Sequence, residues 1–200
     1  GPASYAIAMK RGAQIDPIAS FTLQPGPATP SSRAYHSVLI ARHGHPARDL
    51  KQLRGGTLSL TDPASTSGAI LPRQAVQRLT GVPLEAYFER ITFAGAHDRS
   101  IEAVGTGRVD ATFVASNAAA DAVRNGALRM DEIRILWRST PIPYDPFVTR
   151  RSLCPALQKQ IRQVFLGDTG PLQGMLRELG MTGFVPVTDE DYRDIRQLYP

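Results

Sequence analysis

Cysteine occurs once in the 200 residues, as Cys154, and lysine only three times. One cysteine excludes an internal disulfide and any metal site built from several thiolates, while leaving the compartment open. Beside Pro155, with no Cys or His nearby in sequence, Cys154 reads as a small buried apolar residue and not as a nucleophile. No apolar run approaches the ~18–20 residues that a membrane span needs, and the best, Ser37 to Ala41, is strand-sized. The first twelve residues lack the basic start, apolar stretch and small-residue cleavage site of a secretory leader, so any leader is expected to have been removed or to lie outside this chain. Three nucleotide or nucleophile signatures are missing too: the phosphate loop Gly-x-x-x-x-Gly-Lys-Ser/Thr, a strand-linked Gly-x-Gly-x-x-Gly, and the elbow Gly-x-Ser-x-Gly, for which Pro63 occupies the glycine position before Ser65. There is no internal repeat or low-complexity tract.

What remains is a globular composition, 42% hydrophobic and 20% charged, sufficient for one large domain or two small lobes. Twenty arginines and three lysines against 18 acids give a net charge of +5. The arginines are scattered from Arg11 to Arg196, and the basic pairs are Lys10-Arg11 and Arg150-Arg151 alone. Nucleic-acid binding needs basic residues gathered on one face, so the excess reads as solvated surface.

Small and apolar residues at helical spacing run from 3 to 11 until Gly12 stops them. Ile15 to Leu23 alternates as a strand and enters an exposed turn, Gln24-Pro25-Gly26-Pro27-Ala28-Thr29-Pro30. Tyr35 to Ala41 is the next strand. Strands at 57–61, 91–94, 109–115 and 133–138 then alternate with helices at 66–79, 97–104 and 118–124, which implies an α/β sheet covered on both faces. After Pro141-Ile142-Pro143 an extended piece at 147–149 gives way to helices at 156–165, 172–179 and 189–198. The expected organisation is segment 1–42 with the first crossover, a middle lobe 43–139, and segment 140–200 with the second crossover and the C-terminal helices. A cleft between two such lobes would take a small ligand.

The most informative stretch is Leu58-Ser59-Leu60-Thr61-Asp62-Pro63-Ala64-Ser65-Thr66-Ser67-Gly68, where a strand ends at the Asp62-Pro63 turn and three hydroxyls open a helix. Unpaired N–H groups and the positive end of the helix dipole make such a start an anion cradle, and Gly68 permits close approach. The competing reading is an ordinary N-cap by Ser65 or Thr66. His97, at the next helix start, is placed to donate to an oxyanion, or else to cap its own helix or pair with Asp98. His36, His43 and His45 carry less: His43-Gly44-His45 lacks a third metal ligand at suitable spacing and reads as loop surface. Asp145, between two prolines, would attract an amine attached to an anion, or serve the turn.

Taken together, Tyr35-x-Ser37, Asp49-Leu50 through Gly55-Gly56, Asp62-Pro63-x-Ser65-Thr66-Ser67-Gly68-x-x-x-Pro72, Tyr87-Phe88, Phe93-x-Gly95-x-His97-Asp98, Ile101-x-x-Val104-x-x-Gly107-x-Val109-Asp110-Ala111 and Ser139-x-Pro141-Ile142-Pro143 resemble the phosphonate/phosphite/phosphate solute-binding proteins of ABC transporters. The resemblance runs from Gly1-Pro2-x-Ser4-Tyr5 to Asp191-Tyr192-x-x-Ile195-Arg196. It implies an α/β fold of the type 2 periplasmic-binding-protein class, with two lobes closing over a phosphorus oxyanion. Its oxygens would be held by Ser65, Thr66, Ser67 and Gly68, by Tyr35 and by His97. Family acids that hold an ammonium group correspond here to Asp145 and to Ser116-Asn117, where Asn117 brings a neutral amide to the expected acid position. The resemblance further implies a periplasmic or lipid-anchored protein, a membrane ABC permease as partner, no cofactor and no catalysis. A sensory domain of the same fold is the alternative. A phosphatase would need paired metal-ligand carboxylates, and Asp189-Glu190-Asp191 reads as a helix N-terminal run. Family members usually carry two further strands and helices at the front, so a complete middle lobe with a partial first lobe is expected, along with weakened binding and a homodimer through the incomplete lobe.

Overall fold

The computed structural model describes residues 1–26 and 29–198, so Pro27 and Ala28 of the expected proline-rich turn lie outside the described residues. In chain order, helix α1 (Pro2–Lys10) opens with proline in its first turn, where a missing N–H costs nothing, and leads to β1 (Ile15–Leu23). The short β2 (Ala34–Tyr35) and β3 (Ser37–Arg42) replace the single strand expected at 35–41, with a break at the buried His36. Next come β4 (Thr57–Leu60), α2 (Leu71–Thr80), α3 (Leu84–Tyr87), β5 (Arg90–Phe93), α4 (His97–Gly105), β6 (Ala111–Ala115), α5 (Ser116–Arg124) and β7 (Ile133–Arg138). The chain closes with β8 (Ile142–Pro143), β9 (Pro146–Arg150), α6 (Pro155–Leu166), α7 (Gln173–Glu178), β10 (Met181–Pro186) and α8 (Arg193–Gln197).

The described residues divide into two compact units: residues 1–26, 30–34 and 143–198 form unit 1, and residues 29 and 35–142 form unit 2. Strand β3, which the sequence reading grouped with segment 1–42, is paired on both sides within unit 2, by β6 and β7. Unit 2 is a five-stranded sheet in the order β5-β4-β6-β3-β7. Its central strands read as unbroken apolar runs because both faces are covered. Leu39 and Ala41 of β3 join Leu58, Leu60 and Phe113 under α2 and α3, whereas Val38 and Ile40 join Val114 and Ile101 under α4 and α5. Alternation along one strand therefore feeds two cores.

Unit 1 is an antiparallel sheet in the order β10-β1-β9. Pro17 lacks a ladder donor, and the β1–β9 register shifts between Pro17 and Ala19. Phe147, Phe165 and Phe184 meet at centroid separations of 4.5, 5.0 and 5.6 Å and fasten α6 to this sheet. Strand β10 was not expected from the sequence: Gly183 and Pro186 dilute its strand signal, and its pairing with β1, Phe184 opposite Phe21, is a long-range contact.

Two further expectations are corrected. The strand expected from Val109 begins at Ala111, because the Asp110 carboxylate is bonded to the Thr57 N–H and hydroxyl at 2.7 and 2.8 Å. Cys154 is exposed, since it occupies the N-cap of α6, outside the helix body. Phe113 is fully buried with its ring edge-on to Trp137. Phe113→Ala should cost about 3–5 kcal/mol of unfolding free energy in a urea titration, and a loss under about 1 kcal/mol would contradict the assignment of this core.

Candidate functional site

Strand β4 runs parallel to β5 and to β6, so the C-terminal ends of all three lie along one edge of the unit 2 sheet. In sheets of this kind that edge is where helix starts and loops gather around ligands. Here it carries the segment 61–70 after β4, residues 94–97 after β5, and Ser116-Asn117 after β6. Strand β3 is antiparallel to β6 with Ser37 opposite Ala115, so Tyr35, His36 and Ser37 enter at the same edge.

Side chains bind these pieces together. The Ser37 hydroxyl donates to the Ser67 carbonyl at 2.6 Å, and the Ser37 N–H donates to Ser139 Oγ at 2.9 Å. His36 Nδ1 donates to the Ser139 carbonyl at 2.8 Å, while the His36 N–H donates to Ser116 Oγ at 3.0 Å. Ser116 Oγ is also 2.7 Å from Thr29 Oγ1. This buried network was missed in the sequence, which offers no spacing signal for partners 30 to 103 residues apart.

The turn after β4 is built from its own polar groups. Asp62 Oδ1 accepts from the Ala64 N–H at 2.8 Å, and Ser65 Oγ accepts from the Gly68 N–H at 3.0 Å. Ser65 is thus an N-cap. Its carbonyl accepts from both Ala69 and Ile70, at 3.1 and 3.0 Å, and residues Thr66–Ile70 form a single wide π-type turn ahead of α2. The helix expected from residue 66 is therefore regular only from Leu71, with Pro72 in its first turn. Thr66 and Ser67 are buried. Among the described residues no protein group bonds the Ser67 hydroxyl or N–H, although the Ser67 carbonyl is held by Ser37.

Gly68 has no room for a side chain. A Cβ there would fall 2.8 Å from both Cβ and Cγ2 of Thr61 and closer still to its hydroxyl. Gly68→Ala should lower stability by about 1–3 kcal/mol through overpacking, read by chemical denaturation; unchanged stability would contradict this geometry.

His97 is the first residue of α4, and Ala96, not His97, occupies the N-cap without a side-chain bond. No ion pair with Asp98 occurs among the described residues. Instead His97 Nδ1 accepts the Ala115 N–H at 3.2 Å. A backbone N–H can only donate, so the imidazole is neutral at Nδ1 and carries its proton on Nε2. Burial pushes the His97 pKa down, and Asp98 opposes this in part.

That depression sets a pH dependence. Unfolded His97 takes up a proton near pH 6.5, whereas the folded imidazole resists it until lower pH, so stability falls as pH drops through that range. The melting temperature should decline from about pH 7.5 to about pH 5.5, and less steeply in His97→Gln. Equal slopes would show that His97 is not the group responsible.

His97 also borders an open groove of about 510 Å³ between α4 and α5, but Asp98, Glu102 and Asp121 line it and disfavour an anion there. The other candidates are placed as follows. Tyr35 ends β2 and is buried. Asn117 is the second residue of α5 and half-buried. Asp145 alone among the candidates belongs to unit 1, where its backbone carbonyl accepts from the Ser20 hydroxyl at 3.0 Å. His43 and His45 lie at the opposite end of β3, with His45 Nε2 3.5 Å from Asp110, and no metal-ligating cluster occurs among the described residues.

A family model described as "ABC transporter, phosphonate, periplasmic substrate-binding protein" matches residues 1–192. The chain belongs to this family. It is 32% identical over 180 residues to the phosphonates-binding periplasmic protein of Escherichia coli, covering 86% of this chain and 52% of that one. It is 27% identical over 217 residues to the phosphate-import protein PhnD of Mycolicibacterium smegmatis, covering 99% of this chain and 66% of that one. The crystal structure of a binding-protein component of an ABC phosphonate transporter from Pseudomonas aeruginosa superimposes with a TM-score of 0.80 at 23% identity, over 99% of this chain and 65% of that one. The fold is accordingly a type 2 periplasmic-binding-protein-like α/β fold. The chain spans from about half to about two thirds of the length of these relatives.

Proposed function

We propose that the chain captures a small phosphorus oxyanion, a phosphonate, phosphite or phosphate, as the periplasmic substrate-binding component of an ABC importer, and delivers it to a membrane permease without performing chemistry on it. The observation that carries this reading is the set of three unused donors at the strand ends of unit 2: the Ser67 N–H and hydroxyl beside a helix start, and the Nε2 proton of a neutral His97. Each hydrogen bond to a charged oxygen contributes about 1.5–3 kcal/mol, so three or four such bonds are enough for tight capture. In this reading Ser65, Thr66, Ser67, Gly68, Tyr35 and His97 serve the oxyanion, while Asn117 and Asp145 serve its substituent. The names of the relatives, for phosphonates and for phosphate, agree with that ligand class.

A thermal-shift series with phosphate, phosphite, methylphosphonate, 2-aminoethylphosphonate and sulfate tests it. At ~100 times the dissociation constant, the preferred phosphorus oxyanion should add about 2.7 kcal/mol, a rise in melting temperature of roughly 5–10 °C. No shift with any of the phosphorus compounds would overturn the reading.

We also propose that unit 2 is a complete lobe and unit 1 a partial one that pairs with a second copy. In support, none of the twelve residues of α6 is buried, and Leu157, Val164 and Leu179 of unit 1 are exposed. Leu157 and Val164, seven residues apart, share one face of α6, and exposed apolar surface of this kind marks association sites. Sedimentation of the 200-residue chain should show a dimer that Val164→Glu weakens; a monomer at high micromolar concentration would contradict it.

A further inference from the structure

Thr61 follows directly on β4, within the stretch that the sequence marks as most informative, but is given no ligand-binding role there. Its backbone is tied to both helix starts at the sheet edge: the N–H donates to the Gly68 carbonyl at 3.3 Å, and the carbonyl accepts from the Gly95 N–H at 2.7 Å, two residues before His97. Its side chain is 2% exposed, yet Thr61 Oγ1 has no hydrogen-bond partner. Buried hydroxyls almost always find one, and leaving a donor unmade carries a desolvation cost that an apolar side chain of the same shape would avoid. A valine would fill this space without that cost.

The hydroxyl lies against the side-chain face of Gly68, in the space that any Cβ at residue 68 would take. Two oddities therefore share one place: a glycine whose Cβ would overlap the Thr61 side chain, and a buried donor that the protein leaves unused. Neighbouring hydroxyls show how unusual this is. Ser59 donates to Ser100, Thr112 donates to the Ser59 carbonyl at 2.8 Å, and Ser37 donates to the Ser67 carbonyl.

Resting on the reading of the strand ends as an oxyanion site, we infer that Thr61 is a further donor of that site: its hydroxyl reaches past Gly68 to hydrogen-bond an oxygen of the bound anion, and the glycine at 68 is what keeps that route open. Serine preserves the donor, and valine removes it while conserving shape.

The test compares the wild-type chain with Thr61→Val and Thr61→Ser, measuring the melting temperature without additive and the affinity for methylphosphonate and inorganic phosphate by calorimetry. Thr61→Val should melt at the same temperature or higher, yet bind the preferred anion about tenfold or more weakly, as expected for losing one charged hydrogen bond. Thr61→Ser should stay within about threefold of wild type, since it keeps the hydroxyl. Wild-type affinity in Thr61→Val would overturn the inference while leaving the oxyanion reading intact. So would parallel losses of affinity and melting temperature in both variants, which would make Thr61 a packing residue only. A wild-type chain that binds neither anion would overturn the oxyanion reading, and this inference with it.

Discussion

The parallel register of β4 with β5 and β6 is the constraint on which the rest of unit 2 depends. Parallel strands must each be followed by a crossover, and the crossovers begin at the same edge. Three helix starts are thereby brought side by side: the Ser65-to-Gly68 turn, the His97 end of α4 and the Ser116 end of α5. The two backbone bonds of Thr61 and the Ser37 bond to Ser67 hold the first of these in place against its neighbours. Slipping one strand by a residue would reverse every side chain and place β3 residues in the wrong core, so the site and the core are specified together.

The donors gathered at this edge are mostly neutral. His97 has a proton on Nε2 without a full charge, and Ser67 presents a hydroxyl and a backbone N–H. Fixed dipoles of this kind can replace the water around an anion without the desolvation cost of burying a cation. The arginines are used differently. Arg73 with Glu85, Arg151 with Asp16 and Arg129 with Asp131 pair at the surface, where such contacts are worth about 0–1 kcal/mol. The net charge therefore describes the outer surface, as the scatter of arginines along the sequence suggested.

Much of this was legible in the sequence. The alternation of apolar strands and helices between residues 57 and 138 has a local cause, the covering of both sheet faces, and it marks every strand of the five-stranded sheet beyond β3. The hydroxyl cluster before Gly68 and the histidine after β5 were visible because each sits within a few residues of a strand end. What stayed hidden depends on contacts distant in the chain. Strand β10 is completed by β1, the start of β6 is set by Asp110 capping Thr57, and the exposure of Cys154 follows from a helix boundary. The widened turn at Thr66–Ile70 and the orphan hydroxyl of Thr61 arise from how that turn sits on the sheet, which no residue pattern encodes. Of the two caps that the sequence left open, Ser65 and Thr66, the geometry selects Ser65, whose hydroxyl accepts the Gly68 N–H.

The most direct measurement is a proton–nitrogen correlation spectrum of the chain titrated with methylphosphonate. A guest held by the strand-end donors should move the Ser67 amide proton and the His97 Nε2 proton strongly downfield, with His97 remaining neutral at Nδ1. Shifts confined to the acidic groove around Asp121 and Ala122, with Ser67 and His97 unmoved, would contradict the account.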